Sequence, residues 1–398
     1  MEKPIITRAG TLAFLLLLAG CQPPEANNPY WWGGKPEFDT QKIFDSSEHR
    51  GQHPNVVVAL DGSIIATFGR DRYQVRRSVD GGVTWSPVEV LADPGFQGGG
   101  VTVDERNGTI FVFVEERHPP APLTVFKSTD HGETWQETEI EILPDSKGNM
   151  PDMHMNETGI TLQYGEHAGR LIRPTRHYAG SNDRENWANH YTNAMYSDDG
   201  GKTWQTSEPF PAFGTGEAAI AELSDGRIYY NSRRHLSTDG LNPRMRYIAW
   251  SYDGGHTWED MSVSDVLPDG AQHVDYGLMA GLLRLPIEGH DILLFSNIDV
   301  PARADDEEVP HHLRTTRRER GTVWVSFDGG QTWPVKRLVA EGTFSYSSLA
   351  AGRKGTPSEG WIYLMYEEWE RPRHGHMVRF NLDWLTEGRD WKEFLPDS

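Results

Sequence analysis

Cysteine is almost absent: among 398 residues there is one, Cys21. Disulfides and cysteine-based zinc sites are therefore excluded from the part of the chain beyond it. Positive charge is also scarce, with 38 lysines and arginines against 58 aspartates and glutamates, a formal net charge of −20. A general nucleic-acid binder needs a basic surface to displace counterions, so that class is excluded. An anionic ligand would need a local basic pocket working against the overall field, which makes clustered arginines informative. The apolar run Leu12–Ala19 is too short to span a bilayer comfortably. No phosphate-binding glycine loop, nucleotide fingerprint or Ser/His/Asp constellation is visible. His311-His312 and His374-Gly-His376 lack zinc-ligand spacing, so no metal and no cofactor is expected.

What is present is an internal repeat. Five octamers share the pattern Ser-x-Asp-x-Gly-x-Thr-Trp: Ser78–Trp85, Ser128–Trp135, Ser197–Trp204, Ser251–Trp258 and Ser326–Trp333. In each, the Asp carboxylate can accept backbone N–H bonds across a turn, and Gly can take positive φ. Thr-Trp then re-enters a strand, with the indole as an apolar plug. The octamers are hairpin staples, and their Asp and Trp residues are structural. Strand-like residues precede them, as in TVWV before Ser326. Glycine and proline are plentiful, 41 and 25 residues, as many short strands joined by tight turns require. A spacing of about 50–75 residues suits one four-stranded blade per repeat, and blades that cannot bury both faces alone stack radially. The expected fold is all-β: a six-bladed β-propeller of four-stranded antiparallel blades over residues 36–398. The sixth blade lacks an octamer and is closed by both ends of the chain.

The first residues read as a targeting signal. Lys3 and Arg8 precede the apolar run, and Leu18-Ala19-Gly20-Cys21 resembles the bacterial lipobox, which implies a signal peptide over 1–21 and lipidation of Cys21. Residues 22–35, rich in Pro and Asn, read as a tether. The expectation is an exported bacterial lipoprotein, monomeric, facing the periplasm or the cell surface, with the membrane engaged through the anchor alone.

Several segments, in order along the chain, resemble the exo-α-sialidase (neuraminidase) superfamily. They are GTGEAAIAELSDGRIYYNSRR (Gly214–Arg234), HDILLFSNIDVP, RERGTVWVSFDGG, EGTFSYSSLA and YLMYEE; with the octamers, the Asp boxes of that family, they cover most of residues 50–370. The resemblance implies a glycosidase whose nucleophile is a tyrosine, a known exception to the use of two carboxylates. An anionic sugar repels a carboxylate nucleophile, and a phenol with pKa near 10 needs a base beside it. By motif position Tyr346 is the nucleophile and Glu217 its base. Arginines that fork onto the substrate carboxylate fall at Arg233 and Arg318.

The chain departs from that pattern at two places. Where the family has the first arginine of an Arg-Ile-Pro motif, this chain reads Gln52-His53-Pro54, and Arg50 is the nearby substitute. The loop expected to carry the acid/base is short, and Asp71, flanked by Arg70 and Arg72, is its one acid. Neighbouring arginines lower a carboxyl pKa, the wrong direction for an acid unless burial offsets them. Arg176 and His177, in RPTRHYAG, are further candidate substrate contacts. The partner is therefore an acidic glycan: sialic acid, or another acidic sugar such as a ketodeoxy sugar or a uronate. His, Tyr and Arg are also what a uronate lyase would use as base, acid and carboxylate neutraliser. A non-catalytic glycan-binding propeller stays open too, because Asp boxes fix fold better than function.

Overall fold

Each octamer lies at the turn between the third and fourth strands of a sheet. The chain is described from a computed structural model over residues 34–48, 50–236, 244–273, 277–302 and 317–396. Cys21, the leader and all but the last two tether residues lie outside these. Six sheets stand around an axis as a six-bladed β-propeller, and the innermost strand of each blade carries the residues nearest that axis. Blade 1 spans 55–92, blade 2 96–138, blade 4 215–268 and blade 5 281–343. Blade 6 takes three strands from 347–380 and its outermost strand, Phe38–Phe44, from the start of the described chain. It is the blade without an octamer, and segments from near the two ends of the described chain pair in it.

Two blades differ from the plain four-stranded antiparallel plan. Blade 3 gains a fifth strand, Glu141–Leu143, which runs parallel to Thr203–Gln205 and covers the outer edge of the sheet. In blade 2 the innermost strand is split into Phe96–Gln97 and Thr102–Val103 by Gly98-Gly99-Gly100. A Cβ at Gly99 would lie 1.8 Å from the Met153 carbonyl oxygen, and one at Gly100 would lie 2.0 Å from that of Glu157. Gly99 and Gly100 thus let the loop carrying residues 151–158 press against blade 2.

The Asp box works as its sequence suggests. In the second box Asp130 accepts from the Thr134 amide at 2.9 Å and hydroxyl at 2.6 Å, and Ser128 Oγ donates to it at 2.8 Å. Those bonds, the Thr134 hydroxyl first, bring the Asp130 carboxyl down to about 2. The same pattern recurs at Asp80, Asp199, Asp253 and Asp328. The glycine two residues after the Asp of each box docks against the second strand of the preceding blade. Gly132 meets Ile65, Gly201 meets Phe111, Gly255 meets Ile172, and Gly330 meets Tyr229. Gly82 closes the ring by meeting Tyr363 of blade 6. Where blade 6 has no box, the C-terminal turns Leu382–Leu385 and Trp391–Phe394 pack on blade 5, with Phe394 stacked on Phe327 at 5.1 Å.

The inner strands of blades 1 and 4 are buried along their length because neighbouring blades cover both faces. Near the middle of the axis they are tied by side chains. Glu157 accepts from the Leu349 amide at 2.8 Å and Ser348 Oγ at 3.0 Å. Asn55 Nδ2 approaches Glu157 at 3.4 Å, while Asn55 Oδ1 accepts from the Val101 amide at 2.8 Å. Asn156 Oδ1 accepts from the Ala218 amide at 2.9 Å. Burial pushes Glu157 up to about 8, so it stands as a neutral acid in this plug. On one side of it the inner strands and the residues leading into them carry Gln52, Glu217 and Tyr346. On the other they line a separate cavity walled by Val56, Val58, Ile220, Leu282 and Leu349.

The docking of the box glycines generates a test. At Gly201 φ is +84° and a Cβ would sit 2.5 Å from the Phe111 ring, whereas at Gly165 φ is +69° and no atom lies within 4 Å. Gly165→Ala should cost about 1 kcal/mol for the left-handed backbone alone. Gly201→Ala should cost about 1–3 kcal/mol more through overpacking. Equal unfolding midpoints in denaturant for the two variants would contradict the docking role.

Candidate active site

Glu217 is placed by an irregularity in the inner hairpin of blade 4. The register between Thr215–Glu222 and Ile228–Arg234 shifts between Thr215 and Ala218, a bulge that re-aims the side chains at the strand's end. Glu217 is 3% exposed. Its Oε2 accepts from Arg233 Nη1, and Arg176 Nη1 lies 3.7 Å from Oε1. Burial alone would raise this carboxyl. The charges of Arg233 and Arg176, with the Arg233 hydrogen bond, outweigh it and hold Glu217 below the usual glutamate value. Beneath it, buried Arg246 pairs with Asp269 at 2.9 Å and donates to Asn231 Oδ1 at 2.6 Å, bracing the same hairpin.

Arg176 is held as firmly as Glu217. Its Nη2 lies 3.0 Å from His190 Nδ1 and 2.8 Å from His235 Nδ1. A guanidinium has only donors, so both histidines must accept at Nδ1 and be neutral. Burial drives His190 down to about 4 and His235 well below its ordinary value, in agreement. Arg176 also stacks over the Tyr178 ring at 4.2 Å. His177, the next residue, points to the other face of the strand. Its Nδ1 meets the Met150 carbonyl at 3.2 Å and its ring packs on Tyr191, so Arg176 enters the cleft and His177 does not.

Tyr346 sits just before the inner strand of blade 6 and is 6% exposed. The Arg318 guanidinium lies 5.0 Å from its ring and 3.9 Å from that of Trp369, and donates to Ser345 Oγ at 2.8 Å. Arg70 and Arg373 are close enough that a Tyr346 phenolate would stabilise both of their charges. His53 completes this wall. Its backbone is left-handed (φ 65°), its amide donates to Glu367 Oε2 at 2.7 Å, and its ring faces Tyr346 at 5.9 Å. Burial raises Glu367 to about 7. His53, His118 and His154 cluster with Phe96 and Tyr178, and burial brings His118 down to about 4 and His53 well below its usual value.

The two departures in sequence resolve differently. Gln52 is buried and accepts from Arg70 Nη1, so Arg70 delivers a guanidinium near the place the glutamine leaves without one. Arg50 stays on the rim, its side chain 62% exposed, forked onto Asp71 at 2.7 and 3.1 Å. That hydrogen-bonded pair holds Asp71 below the usual aspartate value. Asp71 is thus a rim carboxylate locked in its ionised form, which is not how an acid is prepared. Asp152, on the loop pressed against the blade 2 glycines, has the opposite character. It bridges Arg176 through backbone bonds and accepts from the Tyr178 amide at 2.9 Å, and burial lifts its carboxyl to about 6. Sequence reasoning missed Asp152, Arg70 and Arg373. Only the conspicuous Gly98-Gly99-Gly100 run signalled that something packs there. Among the described residues no group of three or more His, Cys, Asp or Glu side chains is arranged to hold a metal.

A family model for BNR repeat-like domains matches residues 98–357. A sialidase from Micromonospora viridifaciens is 31% identical over 92% of this chain and 58% of its own length. A sialidase from Bacteroides fragilis is 27% identical over 73% of this chain and 53% of its own length. The chain therefore spans a little over half the length of these relatives. Among solved structures, a Hadza microbial sialidase superimposes with a TM-score of 0.63 over 87% of this chain and 69% of that one, at 22% identity, a likeness of fold.

Removing Glu217 would leave Arg233 and Arg176 buried against no carboxylate. Glu217→Gln should lower stability by about 3–5 kcal/mol, read as a shift of the denaturant midpoint. An unchanged midpoint would mean that the ion pairs are not formed in solution.

Proposed function

Because the chain belongs to the sialidase/BNR-repeat superfamily, we propose that it is a glycosidase releasing a terminal acidic sugar, with Tyr346 as nucleophile. The observation that carries this reading is the pairing of two environments on one side of the axial plug. Tyr346 lies where Arg318, Arg70 and Arg373 favour a developing phenolate, and Glu217 is held ionised by Arg233 and Arg176, as a base must be. In this mechanism the phenol proton passes to Glu217 while the phenolic oxygen attacks the anomeric carbon. The glycosidic bond breaks toward its oxygen, which takes a proton from the acid. Water, giving its proton to the same acid/base, then releases the sugar, and Tyr346 recovers its proton from Glu217. Arg318 and Arg233 take the sugar carboxylate as planar forks.

We assign the acid/base role to Asp152 rather than to Asp71. A general acid works best with a pKa near the working pH, and Asp152 stands at about 6 while Asp71 is lowered. An acid must be protonated to act, so activity should fall as pH rises through about 6. Glu217 must be ionised, so the acid-side limb should lie below the ordinary glutamate value.

A second reading is favoured by the neutral imidazole of His118 beside Tyr178, whose ring lies under the Arg176 guanidinium. These could serve as base, acid and carboxylate neutraliser of a uronate lyase. Its mark is an unsaturated product with new ultraviolet absorbance.

The first test is release of a fluorogenic aryl aglycone from an α-sialoside. Tyr346→Phe should reduce turnover by more than about a thousandfold, with circular dichroism unchanged, the scale expected for loss of a nucleophile. Full activity in that variant would remove the tyrosine mechanism. Asp152→Asn should lower kcat about 10²–10⁴-fold with a sugar leaving group, much less with the aryl one, and should abolish the limb near pH 6. Retention of that limb would assign it to another group.

A further inference from the structure

His53 holds an unfavourable backbone. Its φ is 65°, in the left-handed region, and the next residue is Pro54. Seven described non-glycine residues have positive φ, and His53 is the one among them that precedes a proline. A proline pushes the residue before it toward extended backbone, so two preferences are overridden at once. The neighbours enforce the conformation: the His53 amide donates to Glu367 Oε2 at 2.7 Å, and the Gly69 amide donates to the Gln52 carbonyl at 2.8 Å. Backbone held against its preference beside a candidate nucleophile marks a side chain whose position matters.

The imidazole placed by that backbone is fixed as well. Nδ1 lies 3.2 Å from the Gly69 carbonyl, which only accepts, so Nδ1 carries the proton. Burial first, then the charge of Arg70, holds the ring well below the usual histidine pKa and keeps it neutral. Nε2 therefore carries a lone pair, and among the described residues no donor reaches it. The ring is 1% exposed, with its centroid 4.9 Å from that of Phe96, 5.2 Å from His154 and 5.9 Å from Tyr346. A phenylalanine would fill that space without an unanswered acceptor. The carboxylate of a bound sugar cannot answer it, because a carboxylate offers no proton; its partners are the guanidiniums, which only donate.

We infer that His53 is a specificity-determining residue: its Nε2 accepts a hydrogen bond from an uncharged donor of the bound sugar, a hydroxyl or an amide N–H, beside the bond that Tyr346 attacks. The site is thereby divided. Guanidiniums take the anionic group, and the imidazole takes a donor on the same sugar. A sugar with the charge but without the donor is rejected, because the buried acceptor is then left unpaired. The inference rests on the acidic-sugar reading above and adds a second requirement to it.

The test combines nitrogen NMR of the full chain, isotope-labelled at histidine, with calorimetric titration. The ligands are two hydrolysis-resistant acidic sugars, an aryl α-thiosialoside and an aryl thioglucuronide, and analogues of each lacking one donor: a hydroxyl replaced by hydrogen, or the acetamido N–H by an ester oxygen. In the free protein His53 Nε2, assigned by its loss in His53→Gly, should resonate as an unprotonated nitrogen, and binding should move it upfield. Glycine keeps the left-handed backbone, so circular dichroism should be unchanged in that variant. Its affinity for the parent sugar should fall about tenfold or more, the scale of an acceptor left unpaired. One analogue should bind the wild type about tenfold more weakly than the parent, yet bind His53→Gly as well as the parent does; that analogue identifies the donor. Added imidazole, and the variant His53→Asn with its amide oxygen and tolerance of positive φ, should each restore part of the loss. A protonated Nε2 in the free protein, an Nε2 unmoved by a sugar that binds, the same loss for every analogue in His53→Gly, or binding of neither acidic sugar would overturn the role. So would an Nε2 shift produced by Tyr346→Phe and not by sugar, which would make the imidazole the tyrosine's partner. A moved Nε2 without turnover of the corresponding oxygen glycoside by the wild type would uphold His53 and discard only the hydrolase.

Discussion

The fold depends on one contact made five times: an Asp-box glycine seated beneath the second strand of the blade before it. A four-stranded sheet cannot bury both of its faces, and each blade of this chain is stable only between two neighbours. The box rigidifies a turn by capping its amides with a carboxylate. The glycine then lets that turn approach the next sheet more closely than any side chain would allow. Gly82 against Tyr363 turns a row of such contacts into a ring. The unlike closure at blade 6, by a borrowed strand and C-terminal turns, shows that the ring requires the contact more than the motif.

A ring so held offers a rigid axis, and the site is what the chain places on one end of it. Buried charge there is arranged in two unlike ways. Around Glu217 the guanidiniums of Arg233 and Arg176 face one carboxylate directly, and two neutral histidines fix Arg176 from behind. Around Tyr346, Arg318, Arg70 and Arg373 have no such direct partner in common, and Glu367 is raised by burial to about 7. The first half is locked by its own contacts; the second is held more loosely.

The architecture was legible because it repeats. Five octamers announce five turns, and a missing sixth announces the closing blade. Glu217 and Arg233 were legible as a pair since they flank one hairpin. Residues whose role depends on contacts across the axis were not. Arg70 and Arg373 are far apart in sequence and meet only when blade 6 closes on blade 1. Asp71 could be placed on its loop, but its lock onto Arg50 depends on side-chain geometry that spacing does not encode. Arg176 and His177 are adjacent in sequence and were read together, yet strand alternation sends them to opposite faces. Asp152 lies on an irregular loop with no periodic pattern to mark it.

The neutral plug at Glu157, Asn55 and Ser348 has a consequence for traffic. The axis of this propeller is a dead end: the mouth and the opposite cavity are divided by side chains hydrogen-bonded from blade to blade. Whatever enters beside Tyr346 must leave by the same door. On the function proposed above, the released acidic sugar would keep its charge, so the arginines that favour its arrival would also delay its departure, and the exit of product and the entry of the next substrate would contend for one opening.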